Sequence, residues 1–187
     1  MHDEQNFEKI ESEEYDEQSE GDNYEVFTYG ADYTLSVYQE KLISKEIYVP
    51  EFQRKYVWSI RQASKLIESF LLGLPVPEVF LAKDPDKKMI IVDGQQRLMT
   101  IQGYLAGIFP ATGSKFNLEG VRRQWDGKTY NELDETDKRM ISNSVLRATI
   151  IVPSKEKDNI GIYFVFQRLN TGGTKLSNQE IRNCLYH

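Results

Sequence analysis

The sequence predicts an α+β domain behind an acidic tail, and three observations carry the prediction. Short runs rich in Val, Ile, Leu and Phe, of strand length, recur at 78–83, 88–92 and 145–152. Between them lie segments with apolar residues at helical spacing, clearest over 60–71. No internal repeat is visible in the 187 residues, a length that suits one domain with a sizeable core.

Taken in order, residues 1–30 read as a disordered acidic tail and 31–187 as the folded domain. Eleven acids and one base, Lys9, fall in residues 1–25, where aliphatic residues are few. Removing them from 29 acids and 23 bases leaves 18 acids and 22 bases, so the body carries +4 while the chain carries −6. Ala31 to Lys45 is expected to form a helix with Leu35, Tyr38 and Leu42 on one stripe, followed by an extended Ile47–Pro50. Ser59 and Gln62 have capping-box spacing ahead of Ala63, Leu66, Ile67, Phe70 and Leu71, and Gly73 closes that helix. Glu78–Lys83 and Lys88–Val92 predict two strands joined by a Pro85-Asp86-Lys87 turn. The second leads directly into Asp93-Gly94-Gln95-Gln96-Arg97 and a helix through Ala106, ended by Gly107. Residues 112–128 read as loop with short strands. Asp134 is placed to cap a helix over Glu135–Ile141, and Val145–Val152 is a strand. A final helix pair brackets Asn170-Thr171-Gly172-Gly173, its second member opened by Ser177 with Glu180 in capping-box register.

Composition excludes several chemistries. One cysteine, Cys184, forms no disulfide within the chain and no cysteine zinc cluster, and it points to a reducing, cytoplasmic setting. The two histidines, His2 and His187, stand at opposite ends, which argues against His-based metal nucleases and Ser-His triads. No run of about 18 apolar residues predicts a membrane span. No Walker A or Rossmann spacing is present, so a nucleotide would need another cradle.

One such cradle is the strand, Asp-Gly, helix transition at 91–98. The first N–H groups of a helix lack intrahelical partners and its dipole end is partly positive, so an anion can be held there. Gly94 permits close backbone approach, and Arg97 offers a planar fork suited to phosphate. Gln95 and Gln96 add amide donors and acceptors, since Gln is a poor core residue with four hydrogen-bonding positions. Asp93 either caps the helix, the simpler role, or holds a divalent cation against phosphates. A second candidate is Phe166-Gln167-Arg168-Leu169-Asn170-Thr171-Gly172-Gly173, where exposed N–H groups form either an anion nest or a glycine helix end. A third is Pro50-Glu51-Phe52-Gln53-Arg54-Lys55-Tyr56-Val57-Trp58, expected as a half-buried strand with Phe52, Tyr56 and Trp58 inward and Gln53 and Arg54 as ligand contacts.

These three segments, in this order and with Leu176-Ser177-Asn178-Gln179-Glu180-Ile181-Arg182-Asn183 after them, resemble the N-terminal domain family of GmrSD-type restriction endonucleases, marked by its D-G-Q-Q-R motif. The resemblance covers about 32–185. It implies a ParB/sulfiredoxin-like fold, a small mixed sheet flanked by helices, in which a G-x-x-R turn matching Gly94 and Arg97 binds nucleotide phosphates. Gln95 stands where sulfiredoxin has its catalytic cysteine, so that chemistry is not implied. Gln167-Arg168 is similar to the Q-R element that makes a second phosphate contact in ParB-like proteins. The implied activity is binding and hydrolysis of a nucleoside triphosphate with Mg2+ or another divalent cation, in a phage-defence system that controls cutting of DNA. On that reading Asp93, Gln95, Gln96 and Arg97 are catalytic, Asp93 also holding the metal. Gln53, Arg54, Gly94, Arg168, Asn170, Thr171, Gly172 and Gly173 bind nucleotide. The HNH nuclease domain that often follows in the family has no motif here, which implies either that the domain is truncated at its C-terminal end or that the nuclease lies on another chain. The rival expectation is a non-catalytic DNA-binding or nuclease-docking module, using Arg122, Arg123, Lys128, Lys138, Arg139 and Arg147 on phosphates.

Overall fold

The computed structural model describes residues 26–50, 53 and 55–153. Five strands form one mixed sheet: β1 (Val26–Thr34), β2 (Ile47–Tyr48), β3 (Val79–Lys83), β4 (Met89–Asp93) and β5 (Val145–Pro153), in the order β1-β5-β3-β4-β2. β1 is antiparallel to β5 and β3 to β4, whereas β3 runs parallel to β5 and β2 parallel to β4. Among the described residues four α-helices accompany the sheet: α1 (Leu35–Ile43), α2 (Ile60–Leu71), α3 (Gln95–Ala106) and α4 (Glu135–Asn143). This is the α+β architecture with a mixed sheet that the sequence predicts. The last predicted helix pair, the 166–173 segment and the tail over 1–25 lie outside the described residues.

The inner strands are buried on both faces, which is why they read as unbroken apolar runs. Val79, Leu81, Met89, Ile91, Leu146, Ala148 and Ile150 join Leu35, Ile67, Phe70, Leu98, Ile101 and Ile141 of the helices in the main core. Ala82, Ile90, Val92 and Ile151 form a second, smaller cluster on the opposite face. The α2 prediction holds in detail, with Ser59 accepting from Gln62 N and Gln62 answering to the Ser59 N–H in a reciprocal capping box. The turn at 84–88 also forms, with Asp84 Oδ1 accepting from Lys88 N at 2.8 Å.

Three expectations are corrected. Residues 31–34 belong to a strand rather than to a helix, and 26–30 belong to the same strand rather than to the tail. Val26, Phe27, Thr28, Tyr29, Tyr33 and Thr34 are β-branched or aromatic, and their partner strand lies more than a hundred residues away, beyond the reach of local periodicity. Thr34 then ends the strand and caps α1, its Oγ1 accepting from Val37 N at 3.4 Å. Segment 55–59 is not a strand; it crosses as irregular chain, with Tyr56 and Trp58 half-buried against the core. The middle segment carries a single isolated bridge, Ile108 to Lys115, and is anchored by buried Phe116, Leu118 and Trp125 instead of by strands.

Candidate functional site

β4 delivers Asp93 to its carboxyl end, and Gly94 turns the chain into α3 with φ +94°, a left-handed conformation that glycine alone adopts cheaply. Space excludes other residues as well. A Cβ on Gly94 would overlap the Val79 side chain, 2.9 Å from Val79 Cβ, and would stand 3.2 Å from Arg97 Nη2. The turn is therefore packed against Val79 of β3 and the Arg97 guanidinium.

Arg97 folds back over this turn. Its Nη2 donates to Asp93 Oδ2 at 2.9 Å and to the Glu78 carbonyl at 3.2 Å, and the side chain is 18% exposed. Its Nε is buried without a hydrogen-bond partner. Asp93 is thus not the helix cap, as the simpler sequence reading has it. Gly94 occupies the cap position with no side-chain hydrogen bond, and the carboxylate of Asp93, 41% exposed, faces Arg97 one turn along. Asp93 stands one residue before the cap position, which Gly94 holds, and the Arg97 side chain folds back from the first turn of α3 to meet its carboxylate.

The two adjacent glutamines have different work. Gln96, 6% exposed, accepts through Oε1 from Val57 N at 2.9 Å and from Trp58 N at 3.3 Å, while its Nε2 donates to the Lys55 carbonyl at 3.5 Å. Its amide is committed to the backbone of 55–58, which corrects the expectation that it offers free groups to a ligand. Gln95, 9% exposed, turns its Nε2 toward Met99 Sδ at 3.6 Å. Gln53 is likewise tied down. β2 stops pairing with β4 at Tyr48, and beyond it Gln53 Nε2 donates to the Ile91 carbonyl at 2.5 Å and the Val92 carbonyl at 3.3 Å. A side-chain amide therefore continues the ladder along the β4 edge, leaving Gln53 Oε1 buried and unpartnered. Segment 53–58 is held on the β4–α3 turn by Gln53 at one end and Gln96 at the other.

The structure brings Gln53, Asp93, Gly94, Gln95, Gln96 and Arg97 together. Arg54, Arg168, Asn170, Thr171, Gly172 and Gly173 lie outside the described residues. Sequence reasoning missed Glu78. Its carbonyl anchors Arg97, and its carboxylate accepts from Thr149 Oγ1 at 3.0 Å and lies 3.8 Å from Arg147 Nε. Only its position between Pro77 and an apolar run singles it out in the sequence, which is no functional signal. Among the described residues no three of His, Cys, Asp and Glu converge as a metal cluster.

The model of the GmrSD restriction endonuclease N-terminal domain matches residues 35–187. The chain belongs to that family. The match takes in the whole GmrSD turn at 93–97, the 53–58 segment and the 166–173 motif. No curated protein and no solved structure matches the chain. Among the described residues of this GmrSD domain no helix is long and apolar enough to cross a membrane.

Proposed function

We propose that this GmrSD N-terminal domain binds a nucleoside triphosphate at the β4–α3 turn and hydrolyses it as the regulatory step of a DNA restriction system. Family membership supports the restriction role, together with DNA and a nuclease domain or chain as partners. The observation that carries the nucleotide reading is the Arg97 guanidinium folded over the left-handed Gly94, beside the N-terminus of α3. Backbone donors at such a turn and a planar cation packed against it suit a phosphate, and Arg97 would stabilise charge developing on the phosphoryl oxygens. Gln96 holds 55–58 in place instead of touching the ligand, and Gln53 fixes the near end of the same segment. Arg54, Arg168 and Asn170–Gly173 complete the pocket in this reading.

A divalent cation carried by a nucleotide needs one or two carboxylates besides the phosphates. Asp93 fits that modest demand, since its carboxylate is partly exposed and Arg97 bonds only its Oδ2, whereas the Glu78 carboxylate is taken up by Thr149 and Arg147. Such a cation would neutralise phosphate charge. The chain's own residues do the orienting, and Arg97 exchanges its bond to Asp93 for the incoming anion.

A thermal-shift panel of nucleoside triphosphates, with and without Mg2+, tests binding, since a ligand of the native state raises its melting temperature by mass action. Phosphate release is then compared between wild type and Arg97→Ala. We expect stabilisation of the wild type and loss of release in the variant; equal signals from the two proteins would remove the turn from consideration.

A further inference from the structure

Between α3 and α4 the chain makes a long excursion, and part of it is fastened to α2 by polar side chains. Ser64 Oγ, fully buried, accepts from Glu119 N at 2.9 Å. The carboxylate of Glu68, whose residue is 8% exposed, accepts from Arg122 N at 2.7 Å and pairs with Lys65 at 2.7 Å. Burial pushes the Glu68 carboxyl up, but the Lys65 and Arg122 hydrogen bonds outweigh it and hold the group below its ordinary value, hence charged. Asp126 Oδ1 closes the loop on itself by accepting from Gly120 N at 2.7 Å. Gly120 in turn lies against the stem of Arg61, since a Cβ there would stand 3.9 Å from Arg61 Cγ and Cδ.

This fastening puts the exposed Arg122 and Arg123 two and three residues beyond Gly120, which itself lies against the exposed Arg61. None of the three has a carboxylate oxygen within 4.0 Å among the described residues, although the Arg122 charge still helps to hold the Glu68 carboxyl down, whereas Lys41, Lys65, Arg97, Lys115, Lys138 and Arg147 each have one. The acids of this surface are largely spent: Glu68 and Asp126 accept from backbone N–H groups, which leaves Glu119 as the exposed carboxylate of segment 119–126 that makes no such bond through its side chain. A buried carboxylate committed to a loop N–H is a costly device, and long ordered loops on rigid supports commonly carry binding residues.

We infer that the α2 face formed by Arg61, Arg122 and Arg123 is an interface for the phosphate backbone of duplex DNA. Three guanidinium forks with no ion pair among the described residues, on a fixed frame, suit successive phosphate groups, and release of condensed counterions drives such contacts. Two members of the earlier basic set do not share the property: Lys138 pairs with Glu135 at 3.0 Å, and Arg147 lies 3.8 Å from Glu78. Arg61, absent from that set, replaces them. The inference is independent of the Arg97 turn, so either can fail alone.

The test is binding of the full chain to a fluorescent duplex of about 20 base pairs, followed by anisotropy between about 50 and 200 mM salt. Replacing all three by glutamine (Arg61→Gln, Arg122→Gln, Arg123→Gln) is expected to weaken binding at least about tenfold at the low-salt end. It should also flatten the slope of log affinity against log salt by about 2.7, at about 0.9 per phosphate contact. A matched set, Lys45→Gln, Lys87→Gln and Lys88→Gln, removes the same charge from exposed positions elsewhere and should leave the slope unchanged. Arg123→Glu alone, at a side chain without a described partner, should weaken binding in a chain that melts like wild type. Equal losses in the two triple sets would overturn the assignment. So would a wild type that binds no duplex, the result expected if the chain's own acidic residues 3–25 occupied the arginines.

Discussion

Replacing Gly94 by alanine places a methyl group against Val79 in a backbone conformation of φ +94°. The left-handed cost of about 1–2 kcal/mol and an overpacking cost of about 1–3 kcal/mol act together, so Gly94→Ala should lose about 2–5 kcal/mol in urea unfolding. Gln96→Ala strands the Val57 and Trp58 N–H groups near a partly buried surface and should cost about 1–3 kcal/mol. Gln96→Glu retains an acceptor oxygen for those N–H groups but buries a charge and turns an oxygen toward the Lys55 carbonyl, so it should restore only part of that stability at neutral pH and more of it in acid, where the carboxyl is protonated. Were Gln96 instead a ligand contact, both variants would lose nucleotide response with little change in melting. The residues of this site were legible by type in the sequence, because Asp-Gly between a strand and a helix demands a turn and Arg97 falls one helical turn beyond it. Their pairing was not. Whether an amide ends on a ligand or on the backbone of a segment 40 residues away depends on tertiary placement, and neither composition nor spacing records that.

At the scale of elements, helix α2 shows how far local chemistry reaches. Ser59→Ala removes one half of its capping box and should lower stability by about 1 kcal/mol, read from chemical denaturation. The short 3-10 turn Tyr130–Glu132 has a similar box with an ionised partner. Hydrogen bonds from the Thr129 N–H and hydroxyl, and then from Lys115, draw the Glu132 carboxyl down to about 2. A depressed carboxylate contributes stability above its unfolded value and loses it as pH falls toward the folded one. Wild type should therefore melt above Glu132→Gln at neutral pH, and the difference should shrink from about pH 4.5 and vanish near pH 2 in paired melting curves. Elements with their own caps and turns, α2, α3, α4 and the β3–β4 hairpin, could be read from neighbouring residues alone. β1 could not, since its nine residues take their conformation from β5, and 55–59 could not, since its extended path is held by glutamine side chains in place of a ladder.

At the scale of the molecule, the sheet's strand order has a consequence for synthesis. β5 sits between β1 and β3, so each residue of β1 is paired with one between 111 and 127 positions further along the chain. During translation the first strand leaves the ribosome with its hydrogen-bonding edge unmet until residues 145–153 follow. Contacts of such long sequence separation slow folding and leave a sticky edge waiting. A nascent chain arrested with only residues 1–144 outside the tunnel should keep its first strand sensitive to protease, and protection should arrive in one step once residue 153 has emerged.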